Sequence, residues 1–505
     1  MTDSSLHAKI ERMRKIIFAL FPILLSIVPS WARVPDLGTN QVWRYTLISD
    51  SAFVDDCEIC GRPTFFLPMQ GTFDFAFLGS TNRYDYFAIT NIDFSFSDQN
   101  GISNHVSGAG ACKVGGDFAF QEVVNLQVTI SNSNTNETIA MTNSSKGILN
   151  AWPSLRFDLR EETKSFIRVF KINLRAAPFR ELWFSTSSSF TSANQPPSEN
   201  EISSGDVLSF SGRVVKPNSE LIGHLGIQPT IGPTPLDAMD VLPGGEIAFS
   251  LPKDIFSETM GLLHNGDLLG STGRIIRRNS ELMNAFGVDT NVDYGLDAVQ
   301  VMNSGETLFS ITTNAFSPVL DAVISRGDLL SEKGEIRKTL QGLLSSFNPI
   351  PKNDGTTDFG LDAIYVWPGG EVWFSTEDAF DSGIGPIGAG DLLSDRGYVV
   401  YRNLDLVRKF NPIEDVNSFG LDGLFVVTDT TPSPMPGRFS KFDYKKPADD
   451  FELEWVSSGR VFQVEKAGQV EGPYVPSTAI FPDLFWTDFE TITVNSNSFY
   501  RLRQW

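Results

Sequence analysis

The string GLDAIYVWPGGEVWFSTEDAF, Gly360 to Phe380, recurs in weaker form as YGLDAVQVMNSGETLFSITTNAF and PLDAMDVLPGGEIAFSLPKDIF. Repetition of this kind limits a chain to architectures in which each unit buries its faces against its neighbours. Two landmarks keep the same period. The glutamate that opens each E..FS segment stands at Glu181, Glu246, Glu306 and Glu371, with spacings of 65, 60 and 65 residues. The aspartate of a Gly-Asp-apolar-apolar segment stands at Asp206, Asp267, Asp328 and Asp391, with spacings of 61, 61 and 63.

Inside one unit the pattern is β. LDAIYVW reads as a strand, PGG as a turn and EVWFST as the returning strand, with Gly369 and Gly370 able to take the positive φ of a two-residue hairpin loop. GDLLSDRGYVVYRN adds two more strands around a turn whose glycine recurs at Gly212, Gly273 and Gly334. Four strands per unit is the content of a propeller blade. The LDA strand begins at Leu236, Leu296, Leu361 and Leu421, and after the last no E..FS segment follows, whereas the first E..FS segment is preceded only by KINLRAAPF. A surplus strand at the end and a deficit at the start predict a closed four-unit propeller over 179–428. Units that stack without closing, with KINLRAAPF as the missing strand, are the competing arrangement.

The remainder divides around this block, as 505 residues require about three cores. Residues 1–32 read as a signal peptide: Lys9, Arg12, Arg14 and Lys15 precede the apolar run Ile16 to Val28, and Ser30 and Ala32 occupy the cleavage positions. That run is too short for a bilayer core of ~30 Å, so cleavage after Ala32 is expected, with Met1 or Met13 as the start. Residues 33–178 alternate as an antiparallel β-sandwich domain, 429–449 read as a polar linker, and 450–505 as a small module of short strands. The whole chain is therefore expected to be all-β, and exported to the periplasm or beyond. The formal net charge of -21 argues against a phosphate-binding groove, and so against nucleic acid as a partner.

The strings DDCEICGRPTFFLPMQGTFDF, AAPFRELWFST, GLDA and GDLLS, with VFQVEK and FYRLRQ in the tail, resemble a group of uncharacterised exported bacterial multidomain proteins. The resemblance covers nearly the whole chain after the leader and implies export and a repeat architecture, without an activity. The tail is also similar to fibronectin-type or immunoglobulin-like modules.

Few residues point to chemistry. Cys57, Cys60 and Cys112 suit one disulfide and one spare thiol in an oxidising compartment, with the pairing open. Asp362 and Glu371 cannot act together within one hairpin, because the register sets them roughly 20 Å apart at ~3.3 Å per residue. Across a closed ring, however, Asp237, Asp297, Asp362 and Asp422 occupy equivalent places. Four carboxylates converging on an axis repel unless water or a cation, calcium by charge and ligand type, fills the centre; local capping of turns is the alternative role. Asp206, Asp267, Asp328 and Asp391, each after glycine, read as turn residues. Gly383, Gly385 and Gly388 form a GxGxxG string without the following helix a dinucleotide site needs. Trp183, Trp367 and Trp373 lie on repeat strands, where packing is the expected role and sugar stacking the alternative. His105, His224 and His264 are scattered, and no GxSxG, HExxH or Walker pattern occurs. The reading is of an exported non-enzymatic protein that presents loops to an extracellular glycan or protein. A polysaccharide-acting enzyme with carboxylates from different repeats is one alternative, and an envelope spacer the other.

Overall fold

A computed structural model describes residues 41–505 apart from 117–120, 144–151, 163–165, 198–199, 228–231, 351–357, 432–434, 446–449 and 490–497. The expected signal peptide lies outside the described residues. The chain is all-β and divides into two compact units, one ending at Ala177 and one beginning at Pro178.

In the first unit nine antiparallel strands form a single sheet. Alternation is the reason: along Tyr84–Ser97, Phe87, Ile89, Phe94 and Phe96 are buried while Asp93, Ser95 and Ser97 face water. The sheet returns on itself, for Phe65–Ser80 pairs with Ala52–Asp56, Val42–Leu47 and Tyr84–Ser97, and Val169–Ala177 pairs with both Ala52–Asp56 and Val42–Leu47. This corrects the expected two-sheet sandwich. Strands of 13 to 16 residues are long enough to curl through bends, and Gly71 makes one of them: at φ +138 a Cβ there would stand 2.0 Å from the Asp93 carbonyl oxygen. Inside the curl Tyr45, Phe73, Phe75, Phe87 and Trp152 pack as one aromatic core. Cys57 and Cys60 form a disulfide, leaving Cys112 as the buried free thiol.

The second unit carries four four-stranded antiparallel sheets. Three repeat one order: Ala238–Val241, Ile247–Ser250, Leu268–Gly270 and Arg274–Arg277, then Ala298–Val301 onward to Lys338, then Ala363–Val366 onward to Tyr401. The remaining sheet takes Phe179–Ser185, Val207–Ser209 and Arg213–Lys216 from the start of the block and Gly423–Thr428 from its end. There Leu182 pairs with Val426 and Phe184 with Leu424. The four inner strands, Ala238–Val241, Ala298–Val301, Ala363–Val366 and Gly423–Thr428, contact one another in a cycle. Between sheets the apolar faces meet: Leu282, Met283 and Phe286 of one unit pack with Val299 and Phe309 of the next. Trp183, Trp367 and Trp373 are fully buried, in the packing role. Gly383 lies in the tight turn between the paired strands Phe380–Ser382 and Gly385–Ile387, Gly385 opens the second of them and Gly388 follows it.

The tail is two three-stranded sheets around Leu453, Trp455, Phe462 and Val464. Its first strand, Arg438–Lys445, pairs with Asp450–Val456 and lies within the segment expected to be linker. The correction has a simple cause: RFSKFDYK alternates Phe and Tyr with polar residues, but its lysines and the flanking prolines made the segment read as polar. Among the described residues no helix is long and apolar enough to cross a membrane.

Candidate functional site: carboxylates among the inner strands

Each LDA loop is held by residues of the preceding repeat. Asp206, Asp267 and Asp391 accept hydrogen bonds from the backbone N–H of Asn218, Asn279 and Asn403, and those asparagines then clasp the loop ahead of the next inner strand. Asn279 Oδ1 accepts from Tyr294 N at 3.0 Å, while its Nδ2 donates to the Gly295 carbonyl at 3.0 Å. Asn403 does the same with Phe419 and Gly420. Asp328 keeps the backbone role, accepting from Leu340 N. The Gly-Asp residues are thus turn residues, as expected, while the asparagine clasp was not foreseen. Serines add a second tie in three of the four repeats: Ser250, Ser310 and Ser375 each donate to the leucine carbonyl of the following LDA loop, at 2.8 to 2.9 Å, whereas the buried Ser185 hydroxyl has no partner among the described residues.

This framework places Asp237, Asp297, Asp362 and Asp422 together. Asp297, Asp362 and Asp422 are buried and Asp237 is partly open to solvent. Burial, with the charge of Asp422 and then Glu377, pushes Asp237 up to about 7. Asp422 is likewise pushed up to about 7 by burial, although the Ser187 hydroxyl donates to it and opposes the shift. Asp297 and Asp362 are driven well above the ordinary carboxylate range, by burial first and by their acidic neighbours second. Asp297 faces Glu377 as an acid pair from adjacent repeats. Its Oδ2 is buried and has no hydrogen-bond partner among the described residues. No three of these five acids bring an oxygen each within 4.8 Å of one another. They form a cluster wider than the all-protein shell of a calcium ion, with oxygens at ~2.4 Å from the metal.

Glu377, Ser187 and Arg326 were not singled out in the sequence. Glu377 and Ser187 occupy the place taken by Pro252 and Thr312 in the other repeats, so periodicity gives no signal for them. Arg326 brings the neighbouring cation, donating to Glu377 and, at 3.0 Å, to Asp378. The repeated glutamates act elsewhere, each tying its own sheet together. Glu371, for example, accepts from Ser394 at 2.7 Å and from Trp373 Nε1 at 3.1 Å, and pairs with Arg396 at 3.0 Å.

At the opposite end of the inner strands an arginine bridges two neighbours. Arg460, from the tail, donates to Asp240 Oδ2 at 3.2 Å and to the Val241 carbonyl at 2.6 Å, and reaches the Val301 carbonyl at 2.5 Å. Asp240 Oδ2 also accepts from Val301 N, and Gln300 Oε1 accepts from Val366 N, so adjacent inner strands are stitched at this end. Asp240 lies three residues beyond Asp237, about 10 Å along the strand. The acids and the arginine therefore occupy opposite ends of one short axis.

No family model matches the chain, and no curated protein matches it. Among solved structures it is similar, at 9% identity and a TM-score of 0.21, to the extracellular domain of a hybrid two component system from B. thetaiotaomicron, with 89% of this chain and 82% of that one covered. A one component system's extracellular domain from the same organism aligns at 7% identity and a TM-score of 0.18, covering 92% and 96%.

Proposed function

We propose that the chain is an exported bacterial binding protein: a four-bladed propeller that carries an immunoglobulin-like tail and takes its ligand at the carboxylate end of its axis. The observation that carries this reading is the gathering of five acids from the four repeats at the end of the inner strands away from Arg460. Buried carboxylates without fixed counter-ions are costly unless protonated or matched by a cation. Their spacing suits a divalent cation that keeps part of its water, calcium being the natural ion, and a hydrated ion can in turn meet the hydroxyls of a glycan or the carbonyls of a protein loop.

An enzymatic role would rest on the Asp297 and Glu377 pair, since acids from two repeats meet there. Trp183, Trp367 and Trp373 are buried, however, and give no stacking platform beside that pair. The test is calorimetric titration of the chelator-treated protein with calcium, for the native chain and for a variant carrying Asp297→Asn and Asp362→Asn. Uptake by the native chain that the variant loses supports the reading, and glycan arrays with and without calcium then identify the ligand. Absence of uptake at millimolar calcium, or equal uptake by the variant, refutes the cation role.

A further inference from the structure

A separate group of side chains of metal-ligating type stands outside the axial cluster. Asp254, His264 and Asp293 are the trio among the described residues whose donor atoms all lie within 4.8 Å of one another. His264 Nδ1 is 3.0 Å from Asp254 Oδ2 and 3.9 Å from Asp293 Oδ2. Backbone fixes the carboxylates: Asp254 Oδ1 accepts from Asn265 N at 3.0 Å, Asp293 Oδ1 accepts from Gly295 N at 2.8 Å, and Asp293 Oδ2 accepts from Gly266 N at 3.2 Å.

Comparison of the repeats separates scaffold from site. The bond to Asp254 Oδ1 has counterparts elsewhere, for Arg326 N donates to Asn314 Oδ1 at 2.9 Å and Ser204 N donates to Ser189 Oγ at 3.0 Å. That bond is a turn latch, and a neutral side chain serves it. Only at Asp254 does the latch bring a negative charge, and only there does an imidazole replace the serine seen at Ser325 and Ser203. The counterpart of Asp293 is Asp358, whose carboxylate lies 3.8 Å from the Arg326 guanidinium and accepts from the Ser325 hydroxyl. In the Asp254 repeat, Asn265 stands where Arg326 stands, so neither Asp254 nor Asp293 forms an ion pair with Lys or Arg among the described residues. A place filled by a fixed cation in one repeat is lined in its neighbour by two carboxylates and an imidazole.

We propose that Asp254, His264 and Asp293 bind a divalent transition ion of the zinc class. One nitrogen and two oxygen donors suit such an ion, whereas calcium takes oxygen donors alone. Bonds of about 2.0 to 2.2 Å put the donors of a tetrahedral ion roughly 3.4 Å apart, between the two separations found here. Asp254 is solvent-exposed and His264 half-buried, so the fourth position is open to water or to a donor group of a partner.

The proposal stands independently of the axial cluster, and zinc itself is the probe. The full chain, without an affinity tag and stripped by chelator, is titrated with zinc by calorimetry and with cobalt by visible absorbance. One equivalent is expected, with d–d bands for cobalt. His264→Ala, at a half-buried position, and Asp254→Asn, at an exposed one, each checked by circular dichroism, should weaken zinc at least tenfold. Asn314→Ala, in the neighbouring repeat, should leave zinc affinity within twofold. Absence of zinc uptake by the native chain overturns the site, as does uptake by folded His264→Ala at native affinity.

Discussion

Trp183 pairs in register with Phe425, and their rings pack 5.6 Å apart. Two residues separated by nearly the whole repeat block thereby share one sheet, with three strands from the start of the block and one from its end. Phe425→Ala should cost about 3 to 5 kcal/mol in urea unfolding, the usual cost of deleting a buried aromatic ring. The same truncation at exposed Phe316 should cost under about 1 kcal/mol.

The axial acids set a pH dependence. Asp237 and Asp422 titrate near 7 when folded, well above their ordinary range, so the folded state binds more protons than the unfolded one. Their contribution to stability is complete below about pH 4 and is lost as pH rises through about 7. In chelator, Asp237→Asn and Asp422→Asn should leave stability little changed at pH 4.5 and raise it at pH 8, by up to about 4 kcal/mol each. Calcium at pH 8 should shrink that difference if the axis takes the ion. Scanning calorimetry across pH 4.5 to 8 reads both.

Arg460→Met leaves Asp240 without its charge partner, with the carboxylate nearly fully buried. Removing one member of such a pair costs about 3 to 5 kcal/mol. Arg460→Met combined with Asp240→Asn should recover more than half of the loss, a coupling that a double-mutant cycle in urea measures.

Thiol titration separates the cysteines. Cys112 is buried and its thiol is pushed far above the ordinary range, by burial first and by the Glu122 charge second. A disulfide reagent should therefore find no reactive thiol in the native protein and one in the unfolded, unreduced protein. Two or more native thiols would contradict the Cys57 to Cys60 bond.

The second unit was legible because its units repeat: the four LDA segments became the four inner strands, and the extra strand beginning near Leu421 became the partner of Phe179–Ser185. Asp237, Asp297, Asp362 and Asp422 could be placed together from that period alone. Glu377 and Arg326 could not, since each occurs in one repeat, and Arg460 reaches the axis from a different part of the chain. In the first unit, alternation gave strands but not their closure, because curl depends on bends at residues such as Gly71 and on which edges meet. Arg438–Lys445 was hidden by charge, since an exposed strand pairs through its backbone whatever its side chains carry.

The strand Gly423–Thr428 also fixes when the cycle of inner strands can exist. Until residue 428 has left the ribosome, Phe179–Ser185 has one edge without its strand, and the three later sheets have no first neighbour to complete the cycle. The nascent chain must keep that edge unspent for some 240 residues of synthesis. At about 5 to 20 residues per second this is a wait of tens of seconds at the slow end, during which a holding chaperone has a defined surface to cover.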